Sequence, residues 1–343
     1  MKEKNFNKSV FIRADGNAKI GAGHMMRCLT IAKTLPQEWK VIFLCADKNS
    51  AGLAEEWGFE TLVMHTDYQK MEAELPFWRR LFSDRQEENI TLLVDSYFVT
   101  PDYLKEISHY GKLVWLDDMA EQIMPVDVVV NYNVFAKSEE YKQLYRGRKT
   151  QCYVGGEFVP LRQEFANNEY KLKKQAKDIL ITTGGGDCEN IGGQILDRIW
   201  REDCRYHLIT GKFNPYYDVL KRISEEKKNV FVYHDVKNMA ELMSMCDVAV
   251  TAGGTTIYEL CALGVPFVCF SYARNQEKLT EFIGKEQIAA YAGAFHKKPK
   301  ETLEEISDFV TILLENQEIR KKYHETQRLL VDGKGAFRIG GLL

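Results

Sequence analysis

The sequence predicts an α/β protein with two doubly wound, Rossmann-like domains facing a cleft. Three observations carry this. Apolar, β-rich runs alternate with helical patterns along nearly the whole chain. Those runs are continuously apolar rather than alternating, which implies burial on both faces of a sheet. The pattern breaks near Val159-Pro160 and then restarts. Strand–helix alternation of this kind builds a parallel sheet, and ligands of such sheets sit beyond the carboxyl ends of the strands. With 343 residues, the chain exceeds one ordinary core and suits two domains of roughly 150 residues each.

Taken in order, the strand candidates of the first half are 10–14, 41–45, 61–64, 92–94, 113–116 and 128–130, with helical stretches at 25–35, 71–87 and 101–110. A polar segment holding two adjacent asparagines and several lysines resembles a linker. The division is therefore an N-terminal domain over 1–160, a linker over 161–176 and a C-terminal domain over 177–343 that includes a helical tail. The second half offers strands at 179–182, 207–210, 230–233, 248–251 and 267–270, with helices at 191–200, 238–245 and 256–263. The two halves share an architecture and no sequence-level repeat.

Charged residues at 28% and apolar residues at 45% suit a soluble globular chain, and a net charge of −3 gives no general grip on nucleic acid or anionic lipid. The first residues, MKEKNFNKSV, lack the apolar core of a signal peptide, and no run is apolar enough to span a membrane. Cysteines 28, 45, 152, 188, 204, 246, 261 and 269 form no CxxC pair and read as small core residues in a reducing cytoplasm. No Cys/His cluster has metal-ligand spacing, so neither a metal nor a cofactor is expected. The expected location is cytoplasmic, and the sequence leaves the oligomeric state open.

Two glycine-rich turns carry chemistry. The first, Ile20-Gly21-Ala22-Gly23-His24-Met25-Met26-Arg27, follows an apolar strand and opens a helix. Gly21 and Gly23 let the backbone turn sharply and approach a ligand. A neutral imidazole in the first helical turn accepts a proton, so His24 is placed as a general base. The same spacing also occurs in plain strand–turn–helix junctions. The second turn, Ala252-Gly253-Gly254-Thr255-Thr256, runs from a strand into a helix closed by Gly264 and Pro266. Unpaired N–H groups there, with the threonine hydroxyls, make an anion site. Glu259, one turn further on, suits the hydroxyls of a ribose. A third turn, Thr182-Thr183-Gly184-Gly185-Gly186-Asp187, follows the same logic or is simply a flexible loop. None of these is a Walker loop or a spaced dinucleotide fingerprint.

At these residues the chain resembles the nucleotide-sugar hydrolases of pseudaminic acid biosynthesis, which cleave UDP-2,4-diacetamido-2,4,6-trideoxy-β-L-altropyranose to UDP and the free sugar. IGAGHMMR and TAGGTTIYELCALGVPFVCFSYARNQ carry the resemblance. Phe11–Asp15, Val94–Tyr97, Leu116–Asp118, Asn131–Asn133, Leu161-Arg162 and Val331–Gly335 extend it over almost the whole chain. The second-domain motif is shared more widely, with the UDP-GlcNAc glycosyltransferase that makes lipid II. The resemblance implies a glycosyltransferase-B-like architecture, a UDP-sugar substrate and metal-independent hydrolysis with inversion. It implies His24 as base, Tyr97 and Asn275 at the active site, Gly253, Gly254, Thr255 and Thr256 around the diphosphate, and Glu259 on the ribose. Gln276, beside Asn275, is counted with the substrate contacts. Ser96 departs from the pattern, since a relative has His there. In glycosyltransferase-B folds the tail crosses back to the first domain, which is expected here by analogy.

Other polar residues have two readings. Arg13 and Asp15 end the first strand, where they hold the sugar or pair with each other. Arg27, one turn after His24, orients His24, binds phosphate or is a solvated surface arginine. Asp117 and Asp118 read as helix cap and surface charge, or as acid/base groups. His65, His109, His207, His234, His296 and His324 read as structural. The runner-up functions are a glycosyltransferase with a UDP-sugar donor, and a non-catalytic nucleotide-sugar binding protein in surface or spore polysaccharide assembly.

Overall fold

The computed structural model describes residues 7–17, 20–83, 89–118, 122–167, 170–184, 187–211, 214–234 and 236–343. The chain divides into two units: Met1–Leu161 with Lys334–Leu343, and Arg162–Gly333.

The first unit is a seven-stranded sheet: β1 (Lys8–Ala14), β2 (Trp39–Cys45), β3 (Glu60–Val63), β4 (Ile90–Asp95), β5 (Lys112–Leu116), β6 (Val128–Asn131) and β7 (Gln151–Val154). The order is β3-β2-β1-β4-β5-β6-β7, and every pairing is parallel. Because successive side chains on a strand point to opposite faces, Val10, Ile12 and Ala14 enter one core cluster and Phe11 the other. Likewise Phe43 and Leu93 go to the first, while Ile42, Leu44, Leu92 and Val94 go to the second. A sheet apolar on both faces is what the continuous runs predict. Helix Gly23–Ala32 covers one face with Met25, Cys28, Leu29 and Ala32, the spacing of one helical stripe. Leu29 and Ile31 are fully buried, each stabilising the fold by roughly 1.5–3 kcal/mol.

The second unit has six strands: β8 (Asp178–Thr182), β9 (Arg205–Thr210), β10 (Val230–His234), β11 (Val248–Ala252), β12 (Phe267–Ser271) and β13 (Ala290–Ala294). Their order is β10-β9-β8-β11-β12-β13, again with parallel pairings. In each sheet the order reverses once, between β1 and β4 and between β8 and β11. Those two points are where a doubly wound sheet opens a crevice at its carboxyl edge.

The structure differs from the sequence reading in four places. Strands β7 and β13 are edge strands, QCYV and AYAGA, which lack the consecutive Val, Ile, Leu or Phe residues that mark the other runs. The segment 161–176 is not a free linker. Phe165 is fully buried, Glu164 Oε1 accepts the Met239 N–H at 3.1 Å, and Arg320 donates to the carbonyls of Lys173 and Lys174 at 3.1 and 2.8 Å. The domain division read from the sequence puts residues 334–343 with 177–333, but they belong to the first unit, as the expected return of the tail implies. Helix Gly335–Leu342 puts Ala336 and Ile339 into the first unit's core, and Thr91 donates to the Leu343 carbonyl at 2.8 Å. Cys188 is exposed and Cys152 half-buried, whereas the other six cysteines are buried; all eight are free thiols. Among the described residues, no helix is long and apolar enough to cross a membrane.

Candidate functional site

The parallel register sets Ala14 opposite Asp95 at the carboxyl ends of β1 and β4. Beyond Ala14 the chain turns back and starts a helix at Gly23. Gly21 makes that turn in the left-handed region, at φ 74°, closing a pair of backbone bonds with Asn17. The helix therefore begins over the reversal of strand order, and its first turn carries His24 to Asp95.

His24 Nδ1 lies 2.7 Å from Asp95 Oδ1, and both side chains are buried. In the tautomer that carries its proton on Nδ1, His24 donates to the Asp95 carboxylate and leaves a lone pair on Nε2. This is the arrangement in which a carboxylate sets the tautomer of a histidine base. Arg27, one turn along the same helix, closes the network. Its Nε and Nη2 donate to the two oxygens of Asp95, Nη2 also sits 2.8 Å from His24 Nδ1, and Nη1 reaches Asp118 Oδ2 at 3.1 Å and the Tyr132 hydroxyl. Burial opposes charge on Asp95, but the Arg27 guanidinium, with hydrogen bonds from Arg27 and His24, outweighs it and holds the carboxyl at about 2. Arg27 is thus neither a solvated nor a free phosphate-binding arginine.

Tyr97 stands edge-on to the His24 ring, with centroids 4.4 Å apart and planes at 77°. Its hydroxyl donates to Asp118 Oδ2 at 3.0 Å, and Asn133 donates to Asp118 Oδ1 at 3.4 Å. Partial burial and the Asp118 carboxylate push the phenol up to about 12, so at neutral pH it is a donor. The ring is 59% exposed, the most open side chain of the group. Asp117 and Asp118 are not a helix cap and a surface charge. Asp117 is buried and accepts the Tyr141 hydroxyl, while Asp118 joins the Arg27–Tyr97 network. Beside this network a cavity of about 70 Å³ is lined by residues including Asp95, Ser96, Tyr97, Val99, Trp115 and Met124.

Of the two readings of Arg13 and Asp15, the structure shows the pairing with each other and not a sugar contact. The Arg13 side chain is fully buried; it donates to Glu74 through Nε at 2.8 Å and through Nη2, and to Asp15 at 2.5 Å. Asp15 also accepts the Ala46 N–H at 2.8 Å, and Glu74 accepts the Tyr103 hydroxyl at 2.9 Å. Every arm of this cluster is committed inside the core, so it pins β1 and leaves no face for a sugar. Gly21 and Gly23 are exposed, and nothing lies within 4 Å of where a Cβ would stand on either.

In the second unit, β11 ends at Ala252 and helix Thr255–Leu263 starts just beyond Gly253 and Gly254. Gly253 is not an anion donor: its N–H bonds the Phe270 carbonyl at 2.8 Å, extending the ladder. Its lack of a side chain serves packing, because a Cβ there would meet Gln276 Cβ and Thr280 Cγ2 at 2.8 Å. Gly254 and Thr255 are exposed, Thr256 half-exposed, and the helix has no side-chain cap. Helical geometry leaves its first N–H groups without intrahelical partners. Glu259, one turn in, faces Arg162 Nη2 at 3.5 Å. Burial raises its carboxyl above the ordinary value, against the pull of Arg162. Asn275 is exposed on the first turn of helix Arg274–Lys285, and Gln276 Oε1 accepts the Tyr272 N–H at 3.0 Å.

The third glycine-rich turn is also corrected. Asp187 accepts the Ile191 and Gly192 N–H groups at 2.7 and 2.8 Å and the Thr183 hydroxyl at 3.2 Å. The start of helix Ile191–Ile199 is already filled by its own carboxylate, which repels another anion. Gly185 and Gly186 lie outside the described residues. Among the described residues, no group of three or more His, Cys, Asp or Glu side chains is arranged to hold a metal ion.

Sequence reasoning named His24 and Tyr97, and the structure brings them together. It left Asp95 without a role beside His24, although Asp95 closes the strand next to β1.

The chain resembles known proteins over both units. It is 27% identical to the spore coat polysaccharide biosynthesis protein SpsG of Bacillus subtilis, over 97% of each chain. It is 25% identical to the UDP-2,4-diacetamido-2,4,6-trideoxy-beta-L-altropyranose hydrolase of Campylobacter jejuni, over 81% of this chain and 96% of that one. Among solved structures, MurG of Acinetobacter baumannii superposes with a TM-score of 0.68 at 15% identity, covering 98% of both chains. That likeness gives the fold, which is glycosyltransferase-B-like. Residues 154–325, just over half of the chain, match the glycosyltransferase family 28 C-terminal domain, and the chain belongs to that family.

Proposed function

We propose that this protein hydrolyses a UDP-linked 2,4-diacetamido-2,4,6-trideoxy sugar to UDP and the free sugar, with inversion. The observation that carries the reading is the buried His24–Asp95 pair at the reversal of strand order in the first unit. Hydrolysis needs a water, a base to take its proton and a means to stabilise the departing diphosphate. His24 Nε2 takes the proton, and Asp95 holds the tautomer and balances the imidazolium that forms. The first N–H groups of helix Thr255–Leu263, with the hydroxyls of Thr255 and Thr256, stabilise developing phosphate charge. Glu259 accepts from the ribose hydroxyls, and Asn275 and Gln276 contact the sugar. Diphosphate is a good leaving group, so one base and one anion hole suffice. Attack on the face opposite the leaving group inverts the anomeric centre. The named Campylobacter relative supports water as acceptor.

A second reading is favoured by the family match and by the Bacillus relative named for spore coat polysaccharide. In it the same base activates a sugar hydroxyl, and the protein is a transferase. One experiment separates the two: the purified chain is given the diacetamido donor and no acceptor. Stoichiometric release of UDP and free sugar supports hydrolysis. No release until a saccharide acceptor is added supports transfer and ends the hydrolase reading.

A further inference from the structure

We propose that Arg27 is the positioning residue of the first unit: its one guanidinium aims His24 through Asp95 and Tyr97 through Asp118, so that base and ring are held together. The inference rests on the reading of His24 as base given above and adds the residue that sets the geometry.

Asp95 ends β4, Asp118 lies two residues past β5 and Tyr132 one residue past β6. Arg27 reaches all three from the helix that carries His24, and its side chain is only 12% exposed. Its three nitrogens are divided among them. Nε and Nη2 donate to the two oxygens of Asp95, and Nη1 donates to Asp118 Oδ2 at 3.1 Å and to the Tyr132 hydroxyl. The forked pair fixes the plane of the Asp95 carboxylate, which a single donor would leave free to turn. His24 Nδ1 meets that carboxylate on Oδ1 at 2.7 Å, the oxygen that Nη2 also uses. Two donors on one oxygen account for the 2.8 Å between Nη2 and Nδ1. In that arrangement Nδ1 carries the proton, and Nε2 is left to accept one.

The second arm runs outward. Asp118 Oδ2 accepts from Arg27 Nη1 and also from the Tyr97 hydroxyl at 3.0 Å, and the Tyr97 ring stands against His24. The path from His24 through Asp95, Arg27, Asp118 and Tyr97 therefore closes on itself, and Arg27 is the member that joins both carboxylates. Arg13 supplies the contrast. It too lies between two carboxylates, but Arg13, Asp15, Glu74 and Tyr103 are all buried, whereas the Arg27 path ends on a largely exposed ring. Geometry at that end matters, because misplacing a reacting group by about 1 Å can cost about 10² in rate.

The test reads the tautomer of His24 by nitrogen NMR of its ring with no substrate present, and then kcat, KM and UDP affinity. The wild type should show one tautomer, with the proton on Nδ1. Arg27→Lys keeps the charge but offers one nitrogen in place of three. It should mix the tautomers and lower kcat by roughly 10², while the Kd for UDP stays within about twofold. Asp118→Asn loosens only the Tyr97 arm. It should keep the wild-type tautomer and lower kcat/KM by roughly three- to tenfold, the worth of a typical hydrogen bond. In the double variant the two losses should not multiply, because Arg27→Lys has already released Asp118. A wild-type His24 protonated on Nε2 overturns the proposal, since Arg27 would then donate to Nδ1 and bypass Asp95. A folded Arg27→Lys protein with wild-type tautomer and kcat overturns it too, as do losses that multiply. If Arg27→Lys does not fold, the wild-type tautomer and Asp118→Asn decide, and unchanged kcat/KM in Asp118→Asn overturns the proposal. If no UDP is released without an acceptor, the hydrolase reading falls, and the tautomers, read without substrate, still decide the role of Arg27. If the wild type releases UDP and Arg27→Lys keeps both tautomer and kcat, the hydrolase reading stands and the role of Arg27 falls.

Discussion

The two places where the strand order reverses are built from opposite materials. At the carboxyl edge of the first sheet, His24, Arg27, Asp95, Asp118 and Tyr97 interlock in one network of charges and hydrogen bonds. At the same edge of the second sheet, the turn after β11 presents glycine, threonine and backbone N–H, and its nearest carboxylate, Glu259, lies a turn away. On the proposed function, the difference matches what each task requires. Moving a proton needs a titratable side chain whose tautomer and charge are fixed by neighbours. Holding an anion needs only oriented dipoles, which a helix start supplies without side chains.

The largest expected effect sharpens the first half of that contrast. His24→Ala should lower kcat by roughly 10²–10⁴, the share of a positioned base, while the Kd for UDP stays within twofold, about 0.4 kcal/mol. Asp95→Asn should lower kcat in the same direction. A His24→Ala enzyme with near-normal kcat, or one that loses UDP binding in step with activity, breaks the comparison.

Next comes a control drawn from the same sheet. The Arg13–Glu74–Asp15 cluster is as buried as the His24–Asp95 pair, yet its bonds are all structural. Glu74→Ala leaves Arg13 without its main partner, which should cost about 3–5 kcal/mol of stability, seen as a lower denaturant midpoint. The fraction that folds should keep its kcat. A folded Glu74→Ala protein with kcat reduced a hundredfold, about 2.7 kcal/mol, would place this cluster in the chemistry.

Acid denaturation probes the charge that Arg27 keeps on Asp95. The folded carboxyl sits at about 2 and the unfolded one at the ordinary 3.8. Ionisation therefore favours the folded state above pH ~4, and that support is lost as pH falls through about 2. The contribution is on the order of 2 kcal/mol, measured as the fall in urea midpoint between pH 5 and pH 2. Asp95→Asn should flatten that part of the curve, and an unchanged slope would show that Asp95 titrates normally.

On the second unit, Glu259→Ala should weaken UDP by about 1–3 kcal/mol, the worth of charge-assisted hydrogen bonds. Unchanged affinity by calorimetry would remove Glu259 from the ribose. The smallest effect is none at all: excess EDTA should leave turnover intact. Activity lost to the chelator and restored by Mg²⁺ or Mn²⁺ would show that dipoles alone do not hold the diphosphate.

What is legible in the sequence follows the distance over which each feature is specified. Strands buried on both faces show as continuous apolar runs, so the interior of both sheets reads directly. Edge strands β7 and β13 make pairings on one side only and need no such run. His24 sits in a local motif and is visible. Its partner Asp95 is 71 residues away and becomes a neighbour only through the register of β1 against β4. Glu74, which absorbs Arg13, is 61 residues distant and carries no local mark. Gly253 looks like an anion donor because composition does not tell whether an N–H has already joined a ladder. Asp187 stands out only as the end of a loop, whereas its carboxylate closes the helix that the loop starts.

The return of residues 334–343 to the first unit bears on how the chain is made. The second unit is one unbroken stretch, 162–333, and every residue it needs has been synthesised before the last helix is begun. The first unit begins earlier yet ends later. Its core lacks Ala336 and Ile339 until the rest of the chain has been translated. Birth order and completion order of the two units are thus reversed, and the unit carrying His24 is finished after the other.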